Sequence, residues 1–246
     1  MNRRAAVGFD RRLDLAWLDA AAVSHATGAT FADVRRALWD LLEGVVAGTD
    51  AHGGRGKTVT VLARAWASPS SNAAPLRARA VALLADASPD ERLAIHWGIL
   101  AATFPLFTDV AEVIGRFLAF HDTFRGAQVT QRMVDLWGDR TTVARAVSRV
   151  VASMVEWGAL HHDVGASTYA GVQVRPVGPP VGAFLVRALL ADGAVPGIPV
   201  KAIRTLPALF PFALGDLADA LASDPAMEVH AQGFGDDVVE LRRDPR

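Results

Sequence analysis

"RTTVARAVSRVVASMVEWGALHHDVGASTYAGVQVRP", residues 140–176, is the stretch on which the fold turns. Val143, Val147, Val150, Val151 and Met154 recur at the spacing of one helical face. Thr142, Arg145 and Arg149 fall on a different face, at i, i+3 and i+7. Arg140 and Thr141 stand at its N-terminal end, and Gly158 predicts the stop. Beyond it, two short extended arms flank a Gly165-Ala166-Ser167 tip and read as a hairpin. Just upstream, "AQVTQRMVDLWGD" (127–139) predicts a shorter helix closed near Gly138. Helix, turn, helix, hairpin is the order of a winged helix. In that arrangement the second helix offers its polar face to the major groove.

Working outward, the chain divides into three zones. Residues 1–120 read as helix after helix. Thr30 is a predicted N-cap for "TFADVRRALWDLLEGVVAG", whose Val34, Leu38, Leu41, Leu42 and Val45 keep helical spacing. Ser88 is expected to cap a second helix with Pro89 at its first position, and Thr108 a third. Residues 121–177 form the winged-helix zone. Residues 178–246 read as a candidate repeat of it, with helices expected over "VGAFLVRALLADG", "IPVKAIRTLPALF" and "PFALGDLADALASD". A hairpin is expected around Gly233 to Asp236. The predicted class is mainly α: a helical N-terminal domain, a winged-helix unit, and a second winged-helix-like unit with its own short hairpin.

Composition narrows the chemistry. Of 246 residues, 51% are hydrophobic and 21% charged, enough for a packed core. There is no cysteine, which removes disulfides, thiolate metal sites and a Cys nucleophile together. Asp10, Arg11, Arg12 and Asp14 interrupt the apolar pattern of the first residues, so no signal peptide is expected. The most apolar window, "AIHWGILAATFPLF", is too short to cross a bilayer and contains Pro105. A cytoplasmic protein without a membrane partner is the expectation.

"AHGGRGKT", residues 51–58, satisfies the loose form of a phosphate-binding loop through Ala51, Gly56, Lys57 and Thr58. Such a loop works between a strand and a helix, and the segment before it here is an amphipathic helix. A plain Gly-rich loop with a helix start at Lys57 or Thr58 is therefore the preferred reading. His161, His162 and Asp163 include metal-ligating types, but neighbours on a strand point to opposite faces. Ser148 and Ser153 lack a nearby base. The acids Asp90, Glu91, Asp109 and Glu112 fall in predicted first turns, where the helix dipole accounts for them. No catalytic residue, metal or cofactor is expected.

The remaining constellation is basic. Arg140, Thr141, Thr142, Arg145 and Arg149 form the candidate DNA-contacting set on the second helix. Ser167 and Thr168 join them from the wing, with His161 or His162 beside them, and Arg125 and Arg132 are candidates for the flanking backbone. Residues 121–177 hold six basic and five acidic residues, a net of +1. Residues 178–246 hold six basic and nine acidic, a net of −3. A role in dimerisation or partner docking suits the third zone better than contact with phosphate.

The run "RGKTVTVLARAW…APLRARAVALL", then "SPDERLAIHWGILAATFPLFTDVAEVI", then "TTVARAVSRVVASMVEWGAL", resembles the A component of BREX phage-defence systems over residues 30–165. That resemblance implies a small helical bacterial protein with a winged-helix-like part, no enzymatic chemistry and binding to double-stranded DNA. It also implies partners from the same operon: a methyltransferase, a large ATPase and a phosphatase-like protein. The acidic third zone departs from the pattern. A winged-helix transcriptional regulator and a protein-interaction subunit without DNA binding are the alternatives.

Overall fold

The structure, a computed structural model, describes residues 6–231 and 237–242. In the first zone α1 (Leu15–Ala26) and α2 (Phe31–Leu41) pack on α3 (Gly54–Trp66), and a 3-10 turn at Ala74–Leu76 leads into α4 (Arg77–Leu84). α5 (Pro89–Thr103) runs through the core, and the chain bends by 119° into α6 (Pro105–Leu118). Thr30 and Ser88 cap α2 and α5 as expected, each in a reciprocal box with Asp33 or Glu91. Every residue of α5 from Leu93 to Thr103 is buried. The most apolar window is thus a core helix, wrapped on all sides. Among the described residues no single helix is long and apolar enough to cross a membrane.

The second zone contains β1 (Thr123–Phe124), α7 (Gly126–Trp137), α8 (Thr141–Glu156), β2 (Leu160–Asp163) and β3 (Thr168–Gly171). The strands form one antiparallel sheet in the order β1-β3-β2, with Phe124 opposite Tyr169 and Tyr169 opposite His162. Gly138 and Gly158 follow the two helices with φ of +85° and +65°, as their positions predict. The two-residue β1 is too short to show a period and was not foreseen.

The third zone opens with β4 (Arg175–Val177) and α9 (Pro179–Ala191), then β5 (Gly197–Pro199). Two 3-10 turns follow, at Val200–Thr205 and Pro207–Leu209, then β6 (Phe212–Leu214), α10 (Ala218–Ser223), β7 (Met227–His230) and β8 (Val238–Leu241). β4 and β6 pair in parallel, and the second antiparallel sheet has the order β5-β8-β7. Each antiparallel sheet therefore places its last strand between the other two.

Several sequence expectations need correction. The helices expected over 198–210 and 211–224 are two 3-10 turns, a short strand and one six-residue helix. Pro207 and Pro211 remove amide donors and restrict the residues before them, so no α-helix can run through. The hairpin strands around 233–236 are present, but that tip, with Asp236, lies outside the described residues. α2 ends at Leu41, which leaves Leu41 and Val45 exposed. α3 starts at Gly54, three residues before Lys57. α6 starts at Pro105, so Thr108 is not its cap; its hydroxyl donates to the Ala101 carbonyl at 3.1 Å. Asp109 is consequently no first-turn acid: it is buried and accepts from Trp137 Nε1 at 2.8 Å, tying α6 to α7.

The three zones share one hydrophobic core. Trp97 on α5 is its meeting point. Its ring lies edge-on to Phe107, Trp157, Phe210 and Phe212, and its Nε1 donates to the Ala208 carbonyl at 3.0 Å. One indole thus touches residues from all three zones and satisfies its own polar atom. α9 lies along α5, and the Pro207–Leu209 turn presses on α6 so closely that a Cβ at Gly115 would collide with the Pro207 carbonyl.

Candidate nucleic-acid interface

α8 is amphipathic in the way its sequence dictates. Val143, Ala146, Val147, Val150, Val151 and Met154 are buried, while Thr141, Thr142, Arg145, Ser148 and Arg149 are exposed. With 3.6 residues per turn these exposed positions make one stripe over the N-terminal half of the helix. The Arg145 and Arg149 guanidiniums have no hydrogen bond or ion pair to any described residue. Two permanent cations facing solvent on adjacent turns form an anion-attracting surface.

The other expected residues divide between surfaces. Arg140 is exposed just before α8, but its guanidinium donates to the Trp137 carbonyl at 3.1 Å, so it is tied to the end of α7. Arg125 is exposed at the start of α7, its amide donating to Gln128 Oε1 at 2.6 Å. Arg132 lies apart, in a groove between α6 and α7 lined by Val113, Phe117, Phe120 and Leu136, with no residue of α8. The hairpin expectation holds: β2 and β3 are joined by residues 164–167, with Ser167 at φ +54° and exposed. Thr168 begins β3 and is half-buried. Asp163 Oδ1 accepts from the Ala166 amide at 3.0 Å and shapes the turn.

His161 and His162 do point to opposite faces. His161 is exposed, whereas His162 stacks on Tyr169 at 4.3 Å between centroids, and Tyr169 stacks on Phe124. Phe124 in turn stacks on Phe117 of α6. This aromatic row braces the hairpin against the helices, since each register pair brings ring onto ring. No group of three or more metal-ligating side chains occurs among the described residues.

The N-terminal segment packs beside the C-terminal half of α8, on its buried side. The Leu13 amide donates to the buried Ser153 Oγ at 2.9 Å, and Trp157 Nε1 donates to the Leu13 carbonyl at 2.9 Å. Arg12 reaches Glu156 at 3.4 Å. The sequence reading missed this segment because its partners are about 140 residues away, beyond any local period.

The Gly-rich loop at 51–58 has a packing explanation. Asp50 accepts from the amides of His52 and Gly53, and the Arg55 amide donates to the Ala47 carbonyl at 3.0 Å. A Cβ at Gly56 would collide with the backbone of Ala51. Arg55 is buried over the Trp39 ring and donates to the Trp39 carbonyl through Nε and Nη2. The loop folds back onto the start of α3.

One partly buried polar cluster lies elsewhere. His96 on α5 is fully buried, its Nε2 2.8 Å from Asp19 Oδ1, and Arg92 reaches the same oxygen at 2.8 Å. Burial pushes the His96 pKa down, and the Asp19 carboxylate only partly offsets it. For Asp19, burial raises the pKa, but the hydrogen bonds from His96 and Arg92 outweigh it and the net shift is downward. The cluster joins α1 to α5, with His96 buried and Asp19 and Arg92 partly exposed.

Comparison with protein-family models, with curated proteins and with solved structures gave no match.

Proposed function

We propose that this chain is a non-enzymatic adaptor that binds double-stranded DNA through the exposed stripe of α8, with residues 164–168 as a wing. The observation that carries the reading is the pair Arg145 and Arg149, exposed on adjacent turns and unpaired among the described residues, between Thr141, Thr142 and Ser148. Arginine in that setting serves both phosphate and guanine edges. The element order α6, β1, α7, α8, β2, β3, with the third strand in the middle of the sheet, supports a winged-helix assignment. On this reading the unit starts at Pro105 rather than at residue 121, because α6 supplies its first helix. The resemblance to the BREX A component supplies the setting: the bacterial cytoplasm, among other proteins of a phage-defence operon.

Binding led by phosphate contacts falls steeply with salt and depends weakly on sequence. The test is a gel-shift titration of duplex DNA over a salt series with wild type and Arg145→Ala/Arg149→Ala. The double variant should bind more weakly at every sequence, with a log–log salt slope smaller by about 1.8, the worth of two phosphates. Unchanged affinity and slope would overturn the proposal. A protein-interaction subunit is the second reading. It is favoured by Phe120, 84% exposed, and Leu136, 41% exposed, which line the groove between α6 and α7. Absence of DNA binding by the wild type at low salt would favour it.

A further inference from the structure

We infer that Arg12 is a further phosphate-contacting residue of the α8 surface, delivered to it by the N-terminal segment and held there by Glu156. This inference rests on the DNA-binding reading above. The segment is anchored on both sides of Arg12. Phe9 is fully buried, with ring centroids 5.5 Å from Phe104 and 5.7 Å from Phe107. Leu13 is fully buried; its amide is committed to Ser153 of α8 and its carbonyl to Trp157, the residue that follows the helix. Between these anchors the side chains divide. The Arg11 side chain is 20% exposed, bonds the Asp10 carbonyl and lies 3.8 Å from the Asp10 carboxylate. The Arg12 side chain is 56% exposed and reaches out to Glu156 Oε2 at 3.4 Å.

The placement matters because of where Glu156 sits. Residues 145, 149, 152 and 156 fall on one face of a helix with 3.6 residues per turn. Glu156 is therefore at the far end of the same stripe, about 10 Å along the axis from Arg149 and about 16 Å from Arg145 at 1.5 Å per residue. Alone, its carboxylate would repel a phosphate strand lying along α8. Arg12 covers that charge and continues the basic line from Arg145 through Arg149 to the end of the helix. An exposed pair of this kind is weak, so a phosphate oxygen competes with Glu156 for the guanidinium without a large loss. About 16 Å corresponds to roughly five base-pair steps at 3.4 Å per step, long enough for separate phosphates to meet the three cations. The segment is thus a covalently attached arm whose register is set by the core.

The test uses the full chain and one duplex of random sequence in a salt titration, with thermal melting of each variant as the fold control. Arg12→Ala should melt like wild type, bind about three- to tenfold more weakly at 50 mM salt, and lose about 0.9 from the salt slope. Glu156→Gln should bind about two- to threefold more tightly, since a repelling charge within about a Debye length is removed. Adding Arg12→Ala to Glu156→Gln should again lose about 0.9 from the slope, which shows a contact to phosphate rather than neutralisation of Glu156. If Arg145→Ala/Arg149→Ala reduces the slope and Arg12→Ala leaves it unchanged, this inference fails and the proposed function stands. If neither changes it, the DNA-binding reading has failed first.

Discussion

The unit from Thr123 to Gly171 and the unit from Gly197 to Leu241 both place their last strand between the first two. Between strands one and two, the first unit inserts α-helices of 12 and 16 residues. The second inserts two 3-10 turns, a strand of three residues and an α-helix of six. The difference follows from local sequence. α8 has an unbroken valine stripe and no proline, so it extends as far as its apolar face has something to bury. Pro199, Pro207 and Pro211 break the corresponding stretch of the second unit, which reaches the core by turns. Their solvent faces differ as well. α8 shows Arg145 and Arg149, whereas α10, the α-helix of the second unit, shows Asp219 and carries no basic residue. The two units share a sheet order, but among the described residues only the first adds a long helix with an exposed polar face, the feature on which the proposed DNA contact rests.

The sharpest way to break this comparison is to separate the second unit from the rest. Gly115→Val places a side chain against the Pro207 backbone, which cannot yield as a side-chain tip would. A loss of about 3 kcal/mol in chemical denaturation is expected, and unfolding should remain a single transition because the units share one core. Two separate transitions would show that the units fold independently. Next comes charge removal. Arg145→Ala/Arg149→Ala should weaken DNA binding by about tenfold or more at 50 mM salt. Lys201→Ala/Arg204→Ala, on the second unit, should leave affinity within about twofold, because the surrounding acids already repel phosphate. Equal losses in the two pairs would erase the distinction.

A smaller effect tests the seam between α1 and α5. The folded-state pKa of His96 lies below its ordinary value of 6.5, so the unfolded chain binds more protons as the pH falls. The stability from keeping His96 neutral is complete above about pH 6.5 and declines as pH drops toward the folded pKa. Asp19, also depressed, adds a second loss only below its ordinary value of 3.8. Melting curves from pH 7.5 to 5.5 should show a falling Tm in the wild type and a flatter profile in His96→Gln. The smallest expected change is Arg132→Ala. It lines the α6–α7 groove rather than the α8 stripe, and should leave DNA affinity within about twofold in the same gel-shift series.

Legibility followed the range of the interactions. α5, α7 and α8, the stops at Gly138 and Gly158, and the N-caps at Thr30 and Ser88 are local matters of apolar spacing and cap chemistry. They were read correctly for that reason. The start of α6 was misplaced because Thr108 resembles a cap, and only the bend at Phe104–Pro105 shows otherwise. The third zone reads as more helical than it is, because its apolar content outweighs three prolines in the sequence pattern. At the candidate surface, Arg145 and Arg149 were legible as a helical face. Arg140, which the sequence groups with them, is bonded to the Trp137 carbonyl, and Arg132, expected at the flanking backbone, lies in the α6–α7 groove.

By itself the sequence determined where α5, α7 and α8 run, which face of α8 is apolar, and that two basic residues share its polar face. These are properties of residues a few positions apart, set by the helical repeat and by cap chemistry. Tertiary structure alone decided that one indole, Trp97, joins all three zones, and that the Pro207 turn presses against Gly115. It alone brought Arg12 to the end of the α8 stripe, 144 residues along the chain from Glu156. Such contacts depend on how whole elements pack, and no local period encodes which distant surface a buried side chain will meet.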